Sequence, residues 1–300
     1  MTTRVNLETF INTTLTNIQQ STSQMSKLQE QISTGKKINR PSDEPAGARK
    51  ILNLRSEDLR LDQFSSNIQT ATQSLEFGES VLQNTSNMIQ RVQELTMQGV
   101  SDTVDQNGRN IIASEINQLL ESVLQSANSS RSGRYAFAGT KTTTVPFEAT
   151  RNSKGEISTV TYKGNREKIE YQIGPATTVQ INQPGDEVFM DNKLFDTIIK
   201  IRDNLANGTV AFARNELDNL DNAFNSILNS IAKSGGVTST LELVDNRIAD
   251  TKLSLKDVLA STESADITEL VLKLKEQENI FQASLASGAL IFRTSILDFL

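Results

Sequence analysis

Two adjacent carboxylate pairs, Asp43-Glu44 and Asp186-Glu187, are the residues best placed by type to do chemistry. Acid–base work needs two carboxyls that face each other across a reacting bond. Neighbours in sequence point in different directions on most backbones, so neither pair forms such a site by itself. Glu57-Asp58, Asp218 and Asp221 fall on helical segments and read as solvated faces. The stretch Gly133 to Gly139 lacks the Lys-Ser/Thr ending of a phosphate loop. Lys36-Lys37 supplies two charges, too few for a nucleic-acid footprint, and the net charge of -6 argues the same way. The chain has no Cys and no His. That removes disulfides, thiol nucleophiles, most zinc sites and the usual proton shuttle. No catalytic, cofactor-binding or metal-binding residue is expected, and no cofactor.

The elements that would carry these residues are mostly helical. The chain has 300 residues, room for one long domain or two to three small ones. It is 36% hydrophobic but only 5% aromatic, without Trp, which suits thin helical layers joined by modest apolar seams. An N-terminal seam falls at Ile11, Leu15, Ile18, Met25, Leu28 and Ile32, diluted by Thr22 between Ile18 and Met25. A helix so diluted gains little from burial alone and is expected to be frayed until a partner covers it. Gly35 ends it, and Pro41 and Pro45 keep the following connection extended.

After Pro45 a long helix carries a near-strict heptad: Leu61, Phe64, Ile68, Ala71, Leu75, Gly78, then Leu82, Thr85, Ile89 and Val92. Thr96 to Asn110 reads as a loop, and Ile112, Ile116, Leu119, Val123 and Ala127 mark a third helix running back. From Ser129 the chain turns Gly- and Ser-rich, then β-branched. Glu156–Tyr162 and Glu167–Ile173 read as a hairpin turning at Lys163-Gly164-Asn165, with a third strand at Thr177–Ile181. Helix resumes at Asn192–Ala206 and from Ala213 to Ile231, and Gly235-Gly236 reads as a break. The register slips between Thr262 and Ile267, either at a capping box, Asp266 to Glu269, or at a stutter in a continuous rod.

The last seam runs Leu270, Leu274, Phe281, Leu285, Gly288, Phe292 and Ile296, with Leu297, Phe299 and Leu300 completing it. Chain ends are usually polar, so this stripe calls for a cover: a partner outside, or the equally diluted N-terminal helix. An intermolecular coiled coil is the reading preferred over packing inside one soluble bundle. MTTRVNLETF has no apolar h-region, so no cleaved signal is expected, and LASGALIF (285–292) is too short for a bilayer span.

The fold class read from this pattern is mainly α. Long antiparallel helices form a coiled-coil-like bundle from both termini, with a small β-rich inserted domain. The expected parts are 1–34, an N-terminal inner-tube helix; 35–45, a spoke connection; 46–134, the first half of a helical domain. They continue with 135–191, a β-rich outer insert; 192–262, the second helical half; and 263–300, a C-terminal inner-tube helix.

ISTGKKIN followed by PSDEPAG, and the closing QASLASGALIFRTSILDFL, resemble the terminal signatures of the bacterial flagellins and their junction relatives. The layout matches too, with helices from both ends around a β insert. NRPSDEPAG, the SILDFL ending and YKGNREKIEYQIG with GDEVF resemble the junction branch more than filament flagellin. The resemblance implies a non-enzymatic axial protein, exported unfolded by the flagellar type III apparatus and located extracellularly at the hook–filament junction. It implies a ring of identical copies, another hook-associated protein on the hook side, flagellin on the filament side, and a cytosolic export chaperone on the C-terminal helix. Neither a nucleic acid nor a membrane span is implied. The spoke motif would comprise Gly35, Lys37, Ile38, Asn39, Pro41, Asp43 and Pro45. Gly35 and the prolines would set its path, and Asp43 or Lys37 would touch a neighbouring subunit. Filament flagellin is the rival within the family. A secreted coiled-coil adhesin or secretion-system tip protein is the rival outside it, and a carbohydrate-active enzyme using acids of the insert the weakest.

Overall fold

A computed structural model describes the backbone of residues 2–297, and within it the side chains of residue 9 and residues 11–289. Six helices dominate: α1 (Thr2–Thr34), α2 (Pro45–Gly99), α3 (Gln106–Ala127), α4 (Leu194–Ala206), α5 (Val210–Glu263) and α6 (Ile267–Leu297). Between α3 and α4 lie β1 (Ser130–Arg131), β2 (Arg134–Tyr135), β3 (Phe147–Arg151), β4 (Ile157–Tyr162), β5 (Glu170–Gly174) and β6 (Thr177–Gln180). A single π-helical turn, Asp186–Met190, precedes α4. This is the mainly α fold with a minor β region that the periodicity implies. Among the described residues no helix is long and apolar enough to cross a membrane.

The chain divides into two compact units. The first comprises Met1–Arg60 and Asp250–Leu300, and the second Leu61–Ala249. In the second unit the heptad of α2 is the seam. Leu61, Ile68, Ala71, Leu75, Leu82, Thr85, Ile89 and Val92 are all buried. Its first part packs against Leu241 and Ile248 of α5 and against Ile173 and Ile181 of the insert. Its second part joins Ile116, Leu120 and Val123 of α3, Ile198 and Leu205 of α4, and Leu220 and Ile227 of α5.

Four of the twelve phenylalanines gather where the insert meets these helices. Phe137 and Phe189 meet edge to face at 5.1 Å, and Phe147 lies 5.4 Å from both Phe189 and Phe195. Such pairs add about 0.5–1.5 kcal/mol each beyond area burial. The scarce aromatic content is therefore concentrated, and it pins the insert to the helices. Buried Arg202 adds a polar pin, donating 2.8 Å hydrogen bonds to Asn117 Oδ1 of α3 and to the Ile157 carbonyl of β4.

Four expectations change. First, the hairpin at Lys163-Gly164-Asn165 does not form. β4 pairs with β3 and β5 with β6, both antiparallel. The turn between β3 and β4 is at Asn152–Gly155, where Gly155 has φ 81 and Asn152 Oδ1 accepts from the amides of Lys154 and Glu156. Gly164 is needed for close approach instead: a Cβ there would collide with the Tyr162 ring. Second, α2 continues to Gly99 and α3 starts at Gln106, so the loop is far shorter than 96–110. Thr96 stays helical by donating to the Val92 carbonyl at 2.6 Å, and Gly99 leaves room for Leu205. Third, α5 runs unbroken through Gly235-Gly236. Fourth, the choice at 262–267 falls to a cap: Asp266 Oδ1 accepts from the amides of Thr268 (2.9 Å) and Glu269 (3.2 Å), starting α6 afresh.

The continuity of α5 carries a test. A Cβ at Gly235 or Gly236 would meet nothing within 4 Å. Gly235→Ala and Gly236→Ala are each expected to raise stability by about 0.5–1 kcal/mol, read as a higher thermal midpoint. A drop would mean the glycines are needed as a hinge.

Candidate functional site

In the first unit α1 lies antiparallel on α6. Residue numbers rise along one helix as they fall along the other. Thr14 sits beside Gly288, Ser21 Oγ accepts from Gln277 Nε2 at 2.6 Å, and Lys36 bridges Ser264. The face of α1 turned inward repeats three-four: Ile11, Thr14, Ile18, Ser21, Met25, Leu28, Ile32. Ser21 is the buried member (4% exposed), whereas Thr22 is exposed and back-bonds to the Ile18 carbonyl. Leu15 stands outside this repeat at 54% exposure.

On α6, Leu270 is buried, Leu274 and Phe281 are half-buried, and Leu285 is exposed. The side chains of Phe292, Ile296 and Leu297, and Phe299 and Leu300 altogether, lie outside the described residues. The pairing leaves Val271, Leu272, Ile280 and Leu285 at 42–67% exposure. One copy therefore covers one side of α6 and leaves apolar side chains on the rest.

The two helices are tied at one end by a joint built from the segment 35–44. Gly35 adopts φ 67, the left-handed conformation that ends a helix, and its carbonyl accepts from the Ala265 amide at 3.0 Å. The Lys37 amide donates to the Glu263 carbonyl at 2.7 Å. Ile38 is the apolar peg, buried with Ala48 and Ile51 of α2 and packed near Leu259 of α5. Gly47 is small beneath it: a Cβ there would strike Ile38. Asn39 Nδ2 reaches the Lys36 carbonyl at 3.3 Å. Asp43 Oδ2 accepts from the amides of Asn39 (3.2 Å) and Arg40 (3.0 Å), closing the turn that contains exposed Pro41. Pro45 then opens α2 at its first position, where a missing N–H costs nothing.

The charges here serve the joint. Asp43 pairs with Lys27 of α1 at 2.9 Å, and Lys37 with Glu44 at 3.4 Å. Lys27, with the Arg40 and Asn39 amides, holds the Asp43 carboxyl below its ordinary 3.8. The central group is Glu263, the last residue of α5 and only 7% exposed. Arg55 meets both its oxygens at 2.9 Å, and Lys36 pairs with it from the other side. Burial pushes its carboxyl up, but Lys36 and Arg55 outweigh that and hold it below 4.5.

Asp43, Glu44 and Asp186 of the candidate acid pairs are thus engaged in structure. Asp43 closes a turn, and Asp186 is bound by Arg166, which also holds Asp191 at 2.7 Å. Glu57 pairs with Arg60, Asp58 lies 3.7 Å from Lys252, and Asp221 accepts from Gln93 at 2.6 Å. Among the described residues no His, Cys, Asp or Glu cluster could hold a metal ion. Lys27, Arg55, Glu263 and Gln31, whose Nε2 donates to the Lys37 carbonyl at 2.7 Å, escaped the reading of the sequence. Glu263 and Arg55 are 208 positions apart, and no local pattern marks them.

The chain thus pairs helices from its two ends and carries β strands between α3 and α4. Residues 5–142 match the bacterial flagellin N-terminal helical region, and the chain resembles the flagellin-like proteins. Within that class its likeness extends over nearly the whole length to flagellar hook-associated protein 3. Identity to the Escherichia coli K12 protein is 27%, covering 89% of this chain and 90% of that one. Identity to the Salmonella typhimurium LT2 protein is 26%, covering 94% of each. The crystal structure of hook-associated protein 3 from Legionella pneumophila has a TM-score of 0.61 at 17% identity. It matches 75% of this chain and 99% of that one, a likeness of fold.

The joint predicts a pH response. A carboxyl with a depressed folded-state pKa contributes its full stability above the unfolded value and loses it as pH falls through the folded value. Glu263→Gln is expected to lower stability by about 1–3 kcal/mol at neutral pH. The gap from the parent should close as pH falls below 4.5, measured by thermal melts across pH. Gly35→Val is expected to cost about 1–2 kcal/mol in the left-handed region. Since no atom lies within 4 Å of a Cβ there, Gly35→Asn should cost much less in the same melts.

Proposed function

We propose that this chain is a structural axial protein of the bacterial flagellum that joins the hook to the filament and provides the platform on which flagellin assembles. The observation that carries this is the likeness to hook-associated protein 3 along nearly the whole chain. The protein works by assembly and not by catalysis, in keeping with carboxylates that are engaged in its own turns and joint. It resides outside the cell as part of the flagellum, at the junction.

In this reading residues 1–34 and 263–300 form the inner tube, 35–45 the spoke, and 46–134 with 192–262 the layer around it. The insert, 135–191, faces outward. Copies form a ring, with another hook-associated protein on the hook side and flagellin on the filament side. The apolar residues that α1 leaves uncovered on α6, Val271, Leu272, Ile280 and Leu285, support contact with other copies. Before export a cytosolic chaperone covers the same helix, and the unfolded chain leaves through the flagellar type III apparatus.

Removal of residues 270–300 tests this. The truncated chain is expected to remain soluble with the second unit folded, to lose chaperone binding, and to leave cells shedding flagellin into the medium as monomer. Normal filaments on cells carrying only the truncated chain would refute the assignment.

A further inference from the structure

Arg91, Arg151 and Arg166 of the second unit each pair with a carboxylate, from Glu115, Glu121 and Asp186 in turn. Arg131 and Arg134 of the same unit do not. They stand directly opposite each other in the β1–β2 hairpin. Opposed residues of an antiparallel pair share a face, and like charges placed there are destabilising. The two residues between them, Ser132 and Gly133, are both left-handed, with φ 52 and 76, so a tight turn fixes this register. Arg131 is steadied by donating to the Gln73 carbonyl of α2 at 2.9 Å. Arg134 is exposed and has no hydrogen-bond or ion-pair partner among the described residues.

Both arginines line a cleft of about 220 Å³ bounded by α2, the hairpin and the β5–β6 pair. Half-buried Phe77 of α2, Tyr135 of β2 and Tyr171 of β5 line it as well, with the hydroxyl-bearing Ser74 and Thr142. Among the described residues no Asp or Glu does, in a chain of net charge -6. The volume falls below the roughly 300–1,000 Å³ of sites for drug-sized ligands, so the cleft takes one ring-sized unit. An arginine pair without a counter-charge recognises an oxyanion, and the planar guanidinium fork matches a carboxylate. Aromatic walls take the C–H face of a ring, and hydroxyl side chains exchange hydrogen bonds with hydroxyls on its rim. A sugar acid has all three features.

We propose that this cleft binds a single sugar-acid residue, with its carboxylate on Arg131 and Arg134 and its ring against Phe77, Tyr135 and Tyr171. The ligand supplies the negative charge that the hairpin lacks within the chain. The site lies wholly in the second unit, and it stands or falls apart from the junction role.

Titration of the full chain with D-glucuronate tests it. The chain has no Trp, and two of its three tyrosines line the cleft, so tyrosine emission reports binding. A saturable change is expected with D-glucuronate. D-Glucose, which keeps the ring without the carboxylate, and acetate, which keeps the carboxylate without the ring, should both act far more weakly. Arg134→Gln is expected to weaken D-glucuronate binding by about tenfold or more, and Arg134→Lys should recover only part of the loss. Because Arg134 has no partner within the chain, the unliganded Arg134→Gln variant should melt no lower than the parent. D-Glucuronate should raise the melting temperature of the parent and leave that of the variant unmoved. Competition by polygalacturonate would make a glycan chain the source of the sugar acid, and its failure to compete would make the source a free one. No saturable response to D-glucuronate, an equal response to acetate, or undiminished binding by Arg134→Gln would overturn the proposal.

Discussion

The pairing of α1 with α6 starts from a short antiparallel stitch. The carbonyls of Gly35 and Glu263 accept from the amides of Ala265 and Lys37, and the Glu263 carboxylate sits between Lys36 and Arg55. Three segments meet there: the end of α1, the start of α2 and the end of α5. A buried carboxylate left without its cations would be strongly destabilising, so the charges enforce this meeting point and no other. Once it is set, the register of α1 against α6 follows, because each later contact lies one helical repeat further along.

The interior of that pair interrupts its large apolar groups with small ones. Thr14, Ser21 and Gly288 occupy places where a stable two-helix coil would carry leucine. Small residues let the helices approach but contribute little hydrophobic stabilisation, and Val271, Leu272, Ile280 and Leu285 of α6 stay exposed. The second unit is built the other way, with a closed seam along α2 and a phenylalanine cluster locking the insert. An axial protein needs this division: one part that holds its shape alone and one that gains its stability in the assembly.

The polar chemistry follows the same logic. Of the acids that would be candidates for catalysis in isolation, Asp43 closes a turn, Asp186 and Glu57 pair with arginines, and Asp221 accepts from Gln93.

The sequence alone determined the helical elements and the faces they bury. The α2 heptad from Leu61 to Val92 is a local periodicity, and a buried face must repeat with the helix whatever lies opposite. Gly35 and Pro45 are equally local, since each acts on its own backbone, whereas at 262–267 the sequence left a cap and a stutter open and the structure decided for the Asp266 cap. Tertiary structure alone decided which strands pair: Lys163-Gly164-Asn165 looked like a turn, but Gly164 is there to clear the Tyr162 ring. It also overrode the helix breakers at Gly235-Gly236, whose cost of about 1 kcal/mol each is small beside the packing of Ile227 and Leu241 on either side. And it alone brought Arg55 to Glu263, because a contact across 208 positions depends on the path of the whole chain and leaves no trace in the residues around either partner.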